Sequence, residues 1–408
     1  MSERKAFLVK IHIKNFLSLR NVTLPLKPLT VLVGPNASGK SNVLRGLRFL
    51  KTMTRETPLP ADFIRERFWS GASDHITIQL QAEVERSRIS YDLVLKTDVN
   101  NFVFDEELSV NDLKIVSILA QKYEVLVKDD KNETINTSEK ITSKPFGTHE
   151  ENSPVNSEIL KDFIKAWEFY DFQPGHMRDR PPGLDPEELY PSSPPNEQIS
   201  MLSLGSEQMA EQSNIWFHMK LREVLSSWYK SDRKRFDCVS DSLAASINFK
   251  MDFNEIDGRN QLCLLEGYKH PISLQKASEG TLRLIAYYIL LHQGELPPLI
   301  AIEEPERNLH PGVLKEIAYV LERIAERTQV IITTHSSQLL DTFSSKSLSD
   351  SLGVLLLRNR LGLGTEVLNL EDIRDKREAL AGWIADFGIG SAVFDSGLLQ
   401  DLMEEPLC

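Results

Sequence analysis

Gly34-Pro35-Asn36-Ala37-Ser38-Gly39-Lys40-Ser41 is the stretch from which the rest of the chain can be read. It fits the phosphate-binding loop template of glycine, four residues, then Gly-Lys-Ser. Glycine lets the backbone curl tightly, so that successive N–H groups converge on phosphate oxygens. Lys40 is placed to reach the β- and γ-phosphates, and the Ser41 hydroxyl to join a Mg²⁺ shell. Asn36, Ala37, Ser38, Gly39 and Asn42 complete the expected nucleotide-binding set. The flanks agree. Leu29-Thr30-Val31-Leu32-Val33 is an apolar, β-branched run, and Asn42 to Leu50 has helical periodicity. Strand, loop, helix is the arrangement that aims a helix N-terminus at an anion. The stretch implies a bound nucleoside triphosphate.

Two further segments supply what such a loop needs. Pro298-Leu299-Ile300-Ala301-Ile302 is a continuous apolar run that ends in Glu303-Glu304-Pro305-Glu306. Such a run fits a strand buried on both faces, and carboxylates at its C-terminal end lie where open α/β sheets bind ligands. Glu303 is the expected Mg²⁺ ligand, directly or through water, and Glu304 the group that polarises the attacking water. About thirty residues on, Val330-Ile331-Ile332 reads as another buried strand, ending in Thr333-Thr334-His335-Ser336. Packing or capping would explain His335, but its place at the same sheet edge favours a γ-phosphate contact. Finally, Ser278 is a fitting N-cap for a strongly apolar helix from Leu282 to Leu291. Its N-terminus is a second phosphate-facing device. One nucleotide can use only one such helix from its own subunit, so the second is expected to serve a neighbour's nucleotide.

Composition bounds the remaining choices. A length of 408 residues allows two or three domains, and 41% hydrophobic with 26% charged residues is ordinary for a soluble globular chain. Cys238, Cys263 and Cys408 have no C-x-x-C spacing, which argues for a reducing cytoplasm rather than disulfides or zinc. No run of about 18 apolar residues is present, so no membrane span is expected. A net charge of −12 opposes indiscriminate nucleic-acid binding by the whole surface, though not a local basic groove.

Taken in order, Phe7 to Phe16 alternates as a half-buried strand, with Lys10, His12 and Lys14 exposed. These residues fit a solvated face or a nucleic-acid contact. Ile76 to Val84 and Ile89 to Leu95 form an antiparallel hairpin about Glu85-Arg86-Ser87-Arg88, which implies a mixed sheet. Residues 101–157 read as a polar surface insertion, with short strands at Phe102-Val103-Phe104 and Tyr123 to Val127. A helix is expected from Ser157 to about Tyr170, then a proline-rich seam from Pro181 to Pro195. Helices follow over Glu207 to Tyr229 and Val239 to Ala245. The basic cluster Lys230 to Arg235 between them fits a solvated helix end, or less readily a nucleic-acid contact. Val313 to Ile324 is amphipathic. The expected divisions are 1–100 (phosphate-loop lobe with hairpin), 101–157 (insertion), 158–275 (helical lobe), 276–370 (remaining nucleotide-binding core) and 371–408 (tail).

In this order the motifs resemble the ABC-type ATPase superfamily, in the branch of RecF-, SMC- and OLD-like heads and its small stand-alone "predicted ATPases". The resemblance rests on the phosphate loop, Ser278-Glu279-Gly280-Thr281-Leu282-Arg283, Glu303 to Pro311, and Thr333-Thr334-His335-Ser336. Weaker support comes from Tyr170 to Pro174 with Arg178, and from Gly388-Ile389-Gly390 to Ser396-Gly397. It implies an α/β P-loop fold with a mixed sheet, an antiparallel β subdomain and a helical lobe. It further implies ATP with Mg²⁺, and two heads joined head-to-tail in a homodimer. On this resemblance Ser278, Glu279 and Gly280 form the signature that acts on the partner's nucleotide. Lys40, Glu304 and His335 are catalytic, Ser41 and Glu303 bind the metal, and Asn308, Leu309 and His310 form the loop linking the two sites. Gln173 is the Q-loop candidate. Two departures, Glu303 for the transporters' aspartate and Glu279-Gly280-Thr281 for Gly-Gly-Gln, argue against a transporter. The nuclease domain that OLD-type proteins add does not fit in the residues after His335, so any nuclease is expected to be a separate protein.

Two function classes follow. One is an ATPase of DNA repair or defence against foreign DNA. The other is a nucleotide-gated scaffold that holds an effector such as a nuclease or toxin. A basic concave face across the dimer favours the first, and an exposed apolar patch on the insertion or tail favours the second.

Overall fold

The structure, a computed structural model, describes residues 6–54, 61–69, 75–84, 87–97, 102–119, 122–128, 134–136, 145–146, 155–171, 221–256, 259–265, 271–348 and 350–395. It divides into two compact units. The first comprises Met1–Glu168, Pro297–Ile302 and Ala325–Cys408, and the second Phe169–Leu296 and Glu303–Ile324.

The first unit opens with β1 (Ala6–Phe16), β2 (Leu19–Pro25), β3 (Leu29–Val33), α1 (Lys40–Met53) and α2 (Ala61–Arg65). There follow β4 (His75–Val84), β5 (Ser87–Thr97), β6 (Phe102–Val110), β7 (Leu113–Leu119), β8 (Lys122–Lys128), β9 (Thr134–Asn136) and α3 (Val155–Lys165), while β10 (Glu168–Tyr170) begins at the last residue of this segment and continues into the second unit. One sheet has the order β2-β1-β4-β5-β6-β7-β8-β9. The β4–β5 hairpin pairs Val84 with Ser87 and Ile78 with Leu93, so both apolar rows fall on the buried face. The segment that reads as polar and weakly patterned thus supplies four strands. Leu108, Val116 and Ile118 bury one face, while Leu113 and Leu119 stay outside. On β1, His12 faces the side-chain carbonyls of Gln79 (2.8 Å) and Asn21 (2.6 Å) on the flanking strands, which makes it part of a cross-strand polar ladder. The helix expected to reach Tyr170 stops at Lys165, and Glu168–Tyr170 is a strand. Trp167, fully buried, occupies the turn, and the Lys51 ammonium takes its carbonyl, so the chain leaves the helix there.

The second sheet has the order β10-β14-β15-β3-β16-β17, with β14 (Leu299–Glu303), β15 (Gln329–Thr334), β16 (Leu352–Arg360) and β17 (Gly364–Asn369). The phosphate-loop strand β3 lies between two parallel partners. Leu29 pairs with both Val330 and Leu352. All five β3 residues are buried, as a strand covered on both faces should be. The Gln329 side chain joins the two sheets. It accepts from the Leu8 N–H (2.9 Å) and donates to the Leu8 carbonyl (2.8 Å), acting as a strand partner beside the bulge at Leu8/Lys10.

In the second unit, residues 221–231 are helical and lead into α4 (Arg233–Ile247). Strands β11 (Lys250–Ile256), β12 (Arg259–Leu265) and β13 (Ile272–Ser273) form an antiparallel sheet, followed by α5 (Glu279–His292) and α6 (Leu314–Ala325). The basic cluster opens α4. Asp232 caps it by accepting from Arg235 N–H (3.2 Å), Arg233 pairs with Asp237 (2.8 Å), and its guanidinium lies 4.2 Å from the Tyr229 ring centroid. Helix α5 is buried from Thr281 to Leu290. The first unit closes with α7 (Ser337–Thr342), α8 (Leu370–Lys376), α9 (Glu378–Phe387) and α10 (Ile389–Phe394).

Candidate functional site

The phosphate loop leaves β3 through a buried Gly34. A Cβ there would lie 2.2 Å from the Leu357 carbonyl oxygen, so the close pass beneath β16 admits only glycine. Ala37 and Gly39 take left-handed backbone, at φ 60° and 105°. At Gly39 a Cβ would meet the Thr365 Oγ1 at 2.1 Å. Gly39, which precedes α1, has no side chain to cap it, and no acid occupies the first turn, so the positive end of the helix dipole faces the loop. The Ser38 hydroxyl is buried with no partner among the described residues, and an incoming phosphate oxygen would satisfy it. Lys40 is buried, its ammonium folded back on the carbonyls of Gly34 (2.7 Å) and Pro35 (2.9 Å).

Residues from distant parts of the first unit brace this loop. The Asn359 amide donates to the Ala37 carbonyl (3.2 Å), and the Asn42 amide to the Ser18 hydroxyl (2.8 Å). Ser18 in turn bonds the Thr365 hydroxyl (2.7 Å). Ser18, Asn359 and Thr365 escape a sequence reading because no local pattern marks them. The one signal is the glycine at 364, which bends the chain at φ 84° just before Thr365.

His335 follows β15, whose last residue Thr334 pairs with Val33 at the end of β3. Both lead out over one edge of the sheet, and the His335 side chain is exposed there. Strand β14 begins beside β15, where Gln329 N–H bonds the Pro298 carbonyl (3.3 Å), so these two also run the same way.

The second unit assembles the other motif. Ser278 caps α5, accepting from Thr281 N–H (3.1 Å). A Cβ on Gly280 would be 3.1 Å from the Asn308 carbonyl, and the Asn308 amide donates to the Glu279 carboxylate (3.2 Å). Signature and linking loop thus form one piece, with Leu309 against Gly280. His310 has a local duty, accepting from Gly312 N–H (3.0 Å) to cap a short turn. Glu303 and Glu304 are half-buried. Glu304 stands at φ 44°, a strained setting for a side-chain-bearing residue. Its carbonyl accepts from Arg283 of α5 (3.4 Å). Arg283 is fully buried, its Nε and Nη2 have no partner among the described residues, and burial lowers its pKa. It links the signature helix to the backbone of the acidic pair, and its place in an apolar helix conceals it in the sequence. Gln173 lies outside the described residues.

The family model described as "AAA domain, putative AbiEii toxin, Type IV TA system" matches residues 29–341. The chain belongs to this family. It is an ABC-type ATPase of the OLD-like branch. It is 39% identical over 61 residues to an OLD nuclease of Thermus scotoductus, and 26% identical over 155 residues to "Retron Ec83 probable ATPase" of Escherichia coli. Those matches span 14% and 34% of this ABC-type chain, but only 12% and 27% of the relatives' own lengths. The SMC head domain from Thermotoga maritima is similar at a TM-score of 0.47 and 12% identity, over 89% of this chain and 98% of that one. Among the described residues no helix is long and apolar enough to cross a membrane.

Proposed function

We propose that the chain binds and hydrolyses ATP, and that two copies join head-to-tail around the nucleotide. The observation that carries this reading is the phosphate-loop cradle. It has a left-handed Gly39 with no room for a side chain, a helix start with no acid in its first turn, and a buried Ser38 hydroxyl without a partner among the described residues. Lys40 exchanges its two loop carbonyls for phosphate oxygens. Glu304 takes the proton of the attacking water, and His335 hydrogen-bonds the γ-phosphate. Ser41 and Glu303 are the assigned Mg²⁺ donors, a hydroxyl and a carboxylate of the hard-oxygen type that this ion prefers. Mg²⁺, when bound, neutralises charge on the phosphates. Ser278 and the free amides of α5 face the partner's nucleotide, which accounts for a second phosphate-facing helix in one chain. The clamp so formed acts in DNA repair or in defence against foreign DNA.

A second reading has its own observation. The Trp383 and Phe387 rings on α9 meet at a tilt, 5.4 Å between centroids, yet remain 39% and 63% exposed, and Leu113 and Leu119 on β7 are 53% and 63% exposed. Apolar side chains displayed on the tail and on the β6–β9 segment favour a protein partner, such as a separate nuclease or toxin held by a nucleotide-gated scaffold.

The deciding experiment is sedimentation of Glu304→Gln with ATP and of the wild type with a non-hydrolysable analogue. Both are expected as dimers, and as monomers without nucleotide. Wild-type turnover by Glu304→Gln would overturn the catalytic assignment.

A further inference from the structure

The C-terminal helices hold the switch histidine from behind. Only His335 and Ser336 separate the end of β15 from α7, and both ends of this link are fixed. Ser336 N–H donates to the Thr334 hydroxyl (3.0 Å), and the Ser336 hydroxyl caps α7 by accepting from Leu339 N–H (3.1 Å). The position of His335 thus follows the position of α7, and α7 is seated on α10. Gly390 passes so close that a Cβ would lie 2.0 Å from the Ser337 carbonyl oxygen, backbone against backbone. Gly388, at φ 95°, ends α9 and starts α10 without a capping side chain of its own. Asp341 of α7 supplies that cap, accepting from Ser391 N–H (3.0 Å) and from the Ser391 hydroxyl (3.2 Å). Leu339, Leu340, Ile389, Ala392 and Val393 are fully buried.

We propose that Asp341 and Gly390 are positioning residues for His335, through which the tail helices set where its imidazole meets the γ-phosphate. This rests on the reading of His335 as a γ-phosphate contact. A buried apolar contact alone would let α7 slide on α10. The shared cap and the glycine pass do not, because each fixes one register. The tail thereby becomes a handle on hydrolysis, its exposed Trp383 and Phe387 one helix away from the joint.

The test is a double-mutant cycle on the full chain, following steady-state ATP turnover. Asp341→Ala is expected to lower kcat about tenfold with KM for ATP changed by less than about twofold, because geometry and not binding is lost. Asp341→Asn, which keeps an acceptor for Ser391 N–H, is expected to restore most of the rate. In a His335→Ala background the same Asp341→Ala change is expected to cost almost nothing further. Wild-type kcat in Asp341→Ala would overturn the inference alone. So would an equal loss in both backgrounds, since that reports general loosening. Wild-type kcat in His335→Ala would instead overturn the γ-phosphate reading. Should Asp341→Ala fail to fold, Ser391→Ala removes one bond of the cap, and about a threefold loss confined to kcat is expected in the same cycle.

Discussion

The two phosphate-facing devices are built on opposite terms. The loop in the first unit is a rigid cradle. Left-handed residues, two forbidden Cβ positions and bonds from Ser18, Asn359 and Thr365 hold its shape before any nucleotide arrives. The signature in the second unit is an ordinary capped helix. Its special features are what it touches: the linking loop at Gly280, and the backbone of the acidic pair through Arg283. Pre-organisation serves binding in the first case, since less ordering remains to be done when the ligand docks. In the second, Arg283 ties the start of the helix to the Glu304 backbone.

The largest effect expected separates binding from association. Lys40→Ala should weaken ATP binding by at least about 100-fold in a titration with a fluorescent analogue, since a buried charged partner of the phosphates is lost. Ser278→Arg should leave monomer affinity within about twofold and yet remove the nucleotide-dependent dimer in sedimentation. A large loss of monomer affinity in Ser278→Arg would break the contrast between the two devices. Next in size, Arg283→Met should lower kcat about tenfold while thermal stability holds or rises. The change removes a buried charge with unpaired nitrogens and also the bond to the Glu304 carbonyl. A fall in stability with full kcat would make Arg283 a packing residue.

The smallest effect concerns the first unit away from the loop. Burial pushes the Glu106 carboxyl up to about 7, against the pull of Tyr91 and of the Phe146 amide, which donates to both oxygens (3.3 and 3.2 Å). The folded state therefore keeps a proton that the unfolded chain has already lost above the usual carboxylate range. Its stabilising contribution is full below that range and falls as pH rises through about 7. Glu106→Gln should flatten the pH dependence of melting between pH 5 and 8, by on the order of 3 kcal/mol at most.

Much of this was legible in the residues. The strand-loop-helix at Gly34, the β4–β5 hairpin and the apolar runs before Glu303 and His335 each carry a local period or a fixed spacing. Strand β16 does not. Its run from Val354 to Leu357 is buried throughout, and continuous apolarity does not distinguish strand from helix. Strand β2 hides for another reason, since Leu19, Val22 and Leu24 break the two-residue period that its pairing with β1 imposes. The loop braces were illegible because each is a common polar residue placed by long-range register. For Asp341 the glycines at 388 and 390 marked the spot, but their purpose needed the partner helix.

The place of β3 has a consequence for how the protein is made. Its parallel neighbours lie at Gln329–Thr334 and Leu352–Arg360, and the braces at Asn359 and Thr365 come later still. A ribosome finishes the phosphate loop early, yet the nascent strand has no lateral partner from this sheet until most of the chain has emerged. Nucleotide capture therefore waits on strands about three hundred residues further along the chain, and pairings this distant are slow to close. Truncation before Leu352 would remove β16 and both braces, and so silence a motif encoded at residues 34–41.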